Sequence, residues 1–196
     1  MKPKRLNSFL AIAALLIVSL VGCATLGGQQ AVQEDIIAYL ATHEGALPAM
    51  MSVEQVVDIV LKSHEATDGS TTHFRWGDLS GKRLFVVSLF PDLGVIKEGR
   101  AIAKDELSAF AQAHLDLFSD PRVCLGTWYN SDDGNSYIDI NVALADKAQA
   151  VELGKKYNQI AIIDLSTLEE TSTGGDGKPI ADLPDPLLRL PPFKTP

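Results

Sequence analysis

The chain has 196 residues, of which 46% are hydrophobic, and a formal charge of −8. This length suits one domain of modest size, with room for an N-terminal appendage. An acidic chain without a basic patch is a poor match for nucleic acid or anionic lipid headgroups, so we expect no nucleic-acid partner.

The first 22 residues have the layout of an export signal. Lys2, Lys4 and Arg5 supply positive charge, and an apolar run follows over residues 9–21. Export signals carry an apolar stretch of about 7–15 residues. As a helix this run would reach only ~20 Å, which is short for the roughly 30 Å core of a bilayer.

The signal ends in Leu20-Val21-Gly22-Cys23, which resembles the lipobox of bacterial lipoproteins. The resemblance implies cleavage before Cys23, a lipid on its sulfur and membrane attachment through fatty acyl chains such as palmitate. It also implies the bacterial cell envelope: the periplasmic side of the outer membrane in a cell with two membranes, otherwise the outer face of the cell membrane. The alternative is an ordinary signal peptide or an uncleaved anchor. Loss of three positive charges would take the formal charge from −8 to −11.

Residues 23–31 are small and polar and are predicted to form the lipidated tether. A helix pair is predicted over 32–66. The first helix carries its apolar residues at helical spacing (Val32, Ile36, Ile37 and Leu40). The second begins at a capping box formed by Ser52 and Gln55, which satisfies backbone groups at a helix start.

A β-α-β-β-α-β succession is predicted within 71–168. Its elements are strand 83–90, helix 104–118, strands 122–129 and 136–142, a helix opened by Asp146 and Gln149, and strand 160–165. This order predicts an α+β fold with a ferredoxin-like antiparallel sheet and two helices on one face. Residues 65–72 are predicted as a loop, and an added strand at 72–76 remains open. The Pro- and Gly-rich tail, 169–196, is predicted to be disordered.

Three short patterns also occur in uncharacterised bacterial and phage proteins, which the chain from Val86 to Gly175 resembles. They are Gly126-Thr127-Trp128, Asn158-Gln159-Ile160-Ala161 and Asp164-Leu165. This resemblance implies a shared module and no particular activity.

The two central strands form a hairpin whose pairing can be counted from its turn. A loop over 130–135 pairs Trp128 with Tyr137, and side chains alternate between the faces of a strand. The aliphatic residues then fall under the helices. The opposite face carries a candidate binding surface of aromatic, polar and small residues: Trp128, Tyr137, Asp139, Asn141, Cys124 and Gly126. Alternatively, the helix pair covers this face and the rings complete a second core.

Catalytic signals are weak. Cys124 has no disulfide partner once Cys23 is lipidated, and its surroundings favour a buried, inert thiol. His64 and His114 lie on apolar helix stripes, where hydrogen-bonded histidines at the edge of a core are common, and His43 and His73 fall in predicted loops. No metal-ligand spacing or cofactor motif occurs, so no metal or cofactor is expected.

The sequence therefore favours a non-enzymatic, lipid-anchored binding or interaction module outside the cytoplasmic membrane, with an unknown protein or envelope partner. One alternative is a small cell-envelope hydrolase that uses Cys124 or Asp139. Another is a phage-derived exclusion or envelope-modifying lipoprotein.

Overall fold

The computed structural model describes residues 46–192, together with Ile36, Tyr39 and Leu40, which are helical. The predicted signal, Cys23, the tether and most of the first predicted helix lie outside the described residues. The helices in the described part are α1 (Val53–Thr67), α2 (Lys104–Ala113), α3 (Leu115–Phe118), α4 (Lys147–Lys156) and α5 (Pro186–Arg189). The strands are β1 (Gly69–His73), β2 (Gly77–Asp78), β3 (Phe85–Ser88), β4 (Val95–Glu98), β5 (Val123–Asn130), β6 (Asn135–Leu144), β7 (Ala161–Asp164) and β8 (Glu169–Ser172).

The strands form one antiparallel sheet in the order β2-β1-β5-β6-β3-β7-β8, and β4 pairs with the first half of β6. The α+β class and the antiparallel sheet are confirmed. With eight strands, the sheet is larger than the four-stranded sheet of the prediction.

Helix α1 begins as predicted. The Ser52 side chain accepts a hydrogen bond from the backbone of Gln55, and the Gln55 side chain accepts one from the backbone of Ser52. The helix buries a stripe of valines against the sheet, and it ends where Asp68 adopts a left-handed conformation with φ 61°.

The main core lies between the sheet and one layer of helices. Helices α1, α2, α3 and α4 all contribute side chains to it, and β5 and β6 contribute Val123, Leu125, Ile138, Ile140 and Val142. The aliphatic face of the hairpin is therefore the helix-covered face, as predicted.

The predicted loop at 65–72 and the predicted position of His73 are wrong. Helix α1 continues to Thr67, and β1 pairs with β5 at the sheet margin, where His73 is buried. Strand β3 pairs with β6 on one edge and with β7 on the other, so neither edge is available to β1. Strand β1 therefore adds at the other edge of the four predicted strands, next to β5.

The predicted helix over 104–118 is interrupted, because His114 has φ −118° and separates α2 from α3. Strand β4 was not predicted. It has only four residues and is mostly exposed, so its apolar content is too small to signal a buried strand.

The prediction of a disordered tail needs correction over 169–192. Strand β8 pairs with β7 along four residues. Further on, Asp185 caps the short helix α5, and the guanidinium of Arg189 is buried. Arg189 donates hydrogen bonds to both carboxylate oxygens of Asp92 and to the backbone oxygen of Leu89. A buried charge with a paired carboxylate anchors this segment to the domain.

Candidate functional site

The hairpin register agrees with the prediction residue for residue. Trp128 pairs with Tyr137, Gly126 with Asp139, and Cys124 with Asn141. The turn itself is shorter than predicted, because Asn130 and Asn135 also pair and leave only residues 131–134 as the connection. Asn130 and Asn135 extend the pairing of β5 with β6 in the same register, so the assignment of side chains to the two faces of the sheet is unchanged.

The face opposite the helices is divided into a covered end and an open end. At the covered end, Ile36 is fully buried in a small cluster that includes Cys124 and Ala143, and Leu40 and Trp76 pack against it. Helix α1 lies on the other side of the sheet. The alternative in which the helix pair covers this whole face is therefore wrong for α1, although the segment around Ile36 covers one end.

Cys124 belongs to the covered end. Its side chain is fully buried, and this burial raises the pKa of the thiol far above its usual range. Since the thiolate is the nucleophilic form of cysteine, this position is unsuited to covalent catalysis. Gly126 is also buried, because the amide of Asn141 lies over it; a Cβ at residue 126 would lie 1.9 Å from Asn141 Nδ2.

The open end holds a cavity of about 170 Å³, which we call the sheet cavity. Four of the six predicted surface residues line it: Trp128, Tyr137, Asp139 and Asn141. Cys124 and Gly126 do not. The remaining lining comes from residues of the neighbouring strands and from two loops (Ser70, Thr71, Val86, Ser88, Pro91, Thr127, Gln159, Ile160, Ala161, Ile163, Glu170 and Gly177).

A break in strand pairing lies beside Asp139. Strand β3 follows β6 as far as Ser88 opposite Asn141, and β4 resumes the pairing at Val95 opposite Ile138. The loop 89–94 occupies the interval, and Gly94 approaches the carboxylate so closely that a Cβ would lie 2.7 Å from Asp139 Oδ1. The break therefore lets a loop, instead of a strand, shape the cavity at this point.

Asp139 is the chemically most distinctive group of the cavity. Desolvation raises the pKa of its carboxyl from 3.8 to about 6, although part of the residue remains exposed. Within residues 46–192 the carboxyl has no hydrogen-bond or ion-pair partner. Glu170 is a second carboxylate in the lining and is exposed.

Two aromatic rings form the adjoining wall. The ring centroids of Trp128 and Tyr137 are 5.5 Å apart with a tilt of 31°. The Tyr137 hydroxyl donates a hydrogen bond to Asp133, and this bond raises the pKa of the tyrosine and lowers that of the aspartate. The hydrogen bond restricts the ring, so the aromatic wall is held in place before any ligand arrives.

The opposite wall is a loop clamped to the start of β7. Asn158 adopts φ 56°, and its side-chain amide donates hydrogen bonds to Asp176 and to the backbone oxygen of Lys178. Gly177, with φ 73°, packs against Ile160, where a side chain would be strained. The segment 173–178 therefore contributes to this wall through Gly177.

Sequence reasoning missed the contributions of β1, β3, β7, β8 and the two loops to the cavity. Ser88 could have been found, because its strand neighbours β6 in the predicted order and its alternation places it beside Asn141. Gln159 and Gly177 carried no such signal, since their position depends on the long-range clamp through Asn158.

His64, in the last turn of α1, was predicted to be a hydrogen-bonded residue at the edge of the core. It is buried, with Nδ1 at 3.0 Å from Thr127 Oγ1 and Nε2 at 2.9 Å from the backbone oxygen of Arg100. The expectation of a hydrogen-bonded histidine at the edge of the core is confirmed for His64.

No protein-family model matches the sequence, and no curated protein or solved structure is significantly similar to it. Within the described residues, no cluster of three or more His, Cys, Asp or Glu side chains is arranged to hold a metal ion. In the same part of the chain, no helix has the length and apolar character needed to cross a bilayer.

Proposed function

We propose that this protein is a lipid-anchored binding module of the bacterial cell envelope and that its ligand site is the sheet cavity. The observation that carries the proposal is the combination of the Trp128–Tyr137 ring pair with an unpartnered carboxyl in one concave site. Ligand sites typically combine apolar and aromatic area with a few polar groups that fix orientation.

The energetics of Asp139 support a binding role. Burying a carboxyl group without a partner costs free energy, and a group of this kind contributes nothing to the stability of the folded chain. Such costs are found where a ligand supplies the missing interaction. The exposed Ile96, paired with Tyr137 on the same face, extends the apolar surface beyond the cavity mouth.

Binding can be tested by NMR titration of the ¹⁵N-labelled protein with a panel of envelope compounds, namely amino sugars, muramyl peptides, polyamines and phosphocholine. We expect at least one class to shift resonances around the cavity, and Trp128→Ala to abolish the shifts. Tyr129→Ala is the matched control, because Tyr129 is the next aromatic residue on the same strand and points to the opposite face. Shifts confined to other surfaces, or insensitive to Trp128→Ala, would place the site elsewhere.

The envelope address depends on Cys23. Two or more acyl chains anchor a protein stably without any membrane-spanning helix. We expect Cys23→Ser to abolish fatty-acid labelling and to release the protein from membranes. The second cysteine provides the control, since Cys124→Ala should retain both properties. Labelling that survives Cys23→Ser would remove the lipoprotein assignment.

The finer fold assignment belongs to the same proposal. Strands β7-β3-β6-β5 with helices α2 and α4 form a ferredoxin-like unit, to which β1, β2 and β8 add at the margins and β4 adds along β6. The strand order and the β-α-β-β-α-β succession support it. Native-state hydrogen exchange should show these four strands opening together at the highest free energy. Earlier opening of β3 or β7 than of β1 would count against the unit.

A hydrolase is the second candidate, and the raised pKa of Asp139 favours it. A carboxyl with a pKa of about 6 is suited to general acid catalysis near neutral pH. Release of products from an envelope compound, lost in Asp139→Asn, would establish this candidate. Binding of such a compound without release of products would favour the binding module.

A further inference from the structure

The sheet cavity has a one-sided charge distribution. Asp139 and Glu170 line it, and none of its lining residues is Lys, Arg or His. Lys178 follows Gly177 in the chain, but its ammonium group already forms an ion pair with Asp176 at 2.8 Å. An anionic ligand would therefore meet uncompensated repulsion at the floor of the cavity.

Two other aspartates in the described part of the chain are paired with guanidinium groups that are largely buried. Asp92 pairs with Arg189, and Asp120 pairs with Arg122 at 2.6 Å. Asp139 has no cation opposite it within residues 46–192, and the titratable groups that face it are Tyr137 and Glu170. The missing counter-charge distinguishes Asp139 from Asp92 and Asp120.

We infer that the sheet cavity binds a small organic cation, whose ammonium group lies between the Asp139 carboxylate and the faces of Trp128 and Tyr137. This inference rests on the proposed binding function and specifies its ligand class. Ammonium groups are attracted to the faces of tryptophan and tyrosine, and the effect is largest where water is excluded. The carboxylate supplies the counter-charge, so both features of the site act on the same group.

The size of the cavity limits the ligand. Cavities of about 150 Å³ hold a benzene molecule. The sheet cavity, at about 170 Å³, therefore encloses roughly six to ten non-hydrogen atoms of a ligand, and a hexose would extend from its mouth. Asn141 and Ser88 can hydrogen-bond polar groups at the other end of such a ligand.

A neutral sugar is the competing ligand. It can stack on Trp128 and hydrogen-bond Asn141, but it leaves Asp139 without a counter-charge. Two matched pairs of probes separate these ligands. Choline and 3,3-dimethylbutan-1-ol have the same shape and differ in charge, and glucosamine and glucose differ by one ammonium group.

The experiment is NMR titration of the full chain in detergent micelles with each of the four probes. We expect choline or glucosamine to shift the cavity resonances with an affinity at least tenfold higher than that of its neutral counterpart. Asp139→Asn should reduce that preference to less than twofold while leaving the resonances elsewhere unchanged. Asp132→Asn, in the exposed hairpin turn, is the control and should keep the full preference.

The possible outcomes test the ligand class, the binding site and the role of Asp139 separately. Equal affinity for charged and neutral probes, with shifts in the cavity, would overturn the cation inference and leave the binding site in place. No cavity shift with any of the four probes would also overturn it, and the wider panel would then decide the proposed function. A preference for the cation that survives Asp139→Asn would overturn the assigned role of this carboxylate. Trp128→Phe, which keeps an aromatic face, should retain the preference at reduced affinity.

Discussion

Replacement of Asp139 by asparagine should make the protein more stable at neutral pH. Folding removes water from the carboxyl and so raises its pKa from 3.8 to about 6. Between these two pH values the folded state retains a proton that the unfolded state has released. Rising pH therefore removes stability, and the loss is complete above about pH 6.

The magnitude follows from the size of this pKa difference. Each pKa unit corresponds to about 1.4 kcal/mol, so the upper limit is about 3 kcal/mol. Part of the residue faces the open cavity, where water screens the charge, and we therefore expect about 2 kcal/mol. An amide of the same shape carries no charge to desolvate, so Asp139→Asn should recover this free energy.

Urea denaturation followed by circular dichroism at pH 4, 5, 6 and 7.5 would measure the effect. The stability difference between Asp139→Asn and the wild type should grow from near zero at pH 4 to its full value at pH 7.5. Asp132→Asn should match the wild type throughout. A difference that is independent of pH, or a less stable Asp139→Asn variant at pH 7.5, would refute the desolvation argument.

Three further predictions concern residues around the sheet. Burial lowers the pKa of His73 to about 4, so in the Asp139→Asn background falling pH should remove about 3 kcal/mol between pH 6.5 and 4, and His73→Gln should abolish that loss in urea denaturation. Gly126→Ala should destabilise the protein by about 1–3 kcal/mol by displacing the Asn141 amide, and Asn141→Ala should relieve this cost in a double-mutant cycle. Arg189→Met should lower stability by about 2–3 kcal/mol in the same assay, because it leaves a carboxylate and two carbonyls without their donor. An unchanged midpoint for Arg189→Met would mean that the tail contributes nothing to folding.

The pH dependence of His73 has a clear structural origin. Its Nε2 donates to the backbone oxygen of Pro121 at 3.0 Å, and its Nδ1 accepts from the backbone amide of Arg75 at 2.8 Å. This arrangement satisfies the neutral ring completely. A second proton on Nδ1 would point at the N–H group of Arg75 and have no acceptor. The charged ring is therefore disfavoured by the loss of this hydrogen bond as well as by the loss of its hydration.

The hairpin was predictable because its information is local. Alternation over β5 and β6, together with one turn, determines which side chains share a face, and Trp128, Tyr137, Asp139 and Asn141 were placed together on this basis. The succession of helices and strands from β3 onward was predictable for the same reason.

The remainder depends on contacts that are distant in sequence. Strand β1 has the polar sequence Gly-Ser-Thr-Thr-His and is buried only because β5 lies beside it. Arg189 reads as a surface residue until the backbone of Leu89, a hundred positions away, accepts its hydrogen bond. The separation of Cys124 from the open end likewise depends on Ile36, which lies far away in the chain.

Coverage of the sheet by Ile36 has a consequence for how the protein faces its membrane. Ile36 packs on the same side of the sheet as the cavity, thirteen positions after Cys23. An extended chain of that length reaches at most ~45 Å. With a lipid on Cys23, Ile36 would stay within that distance of the bilayer surface, and the cavity mouth would lie no farther from the lipid than that reach plus the width of the domain.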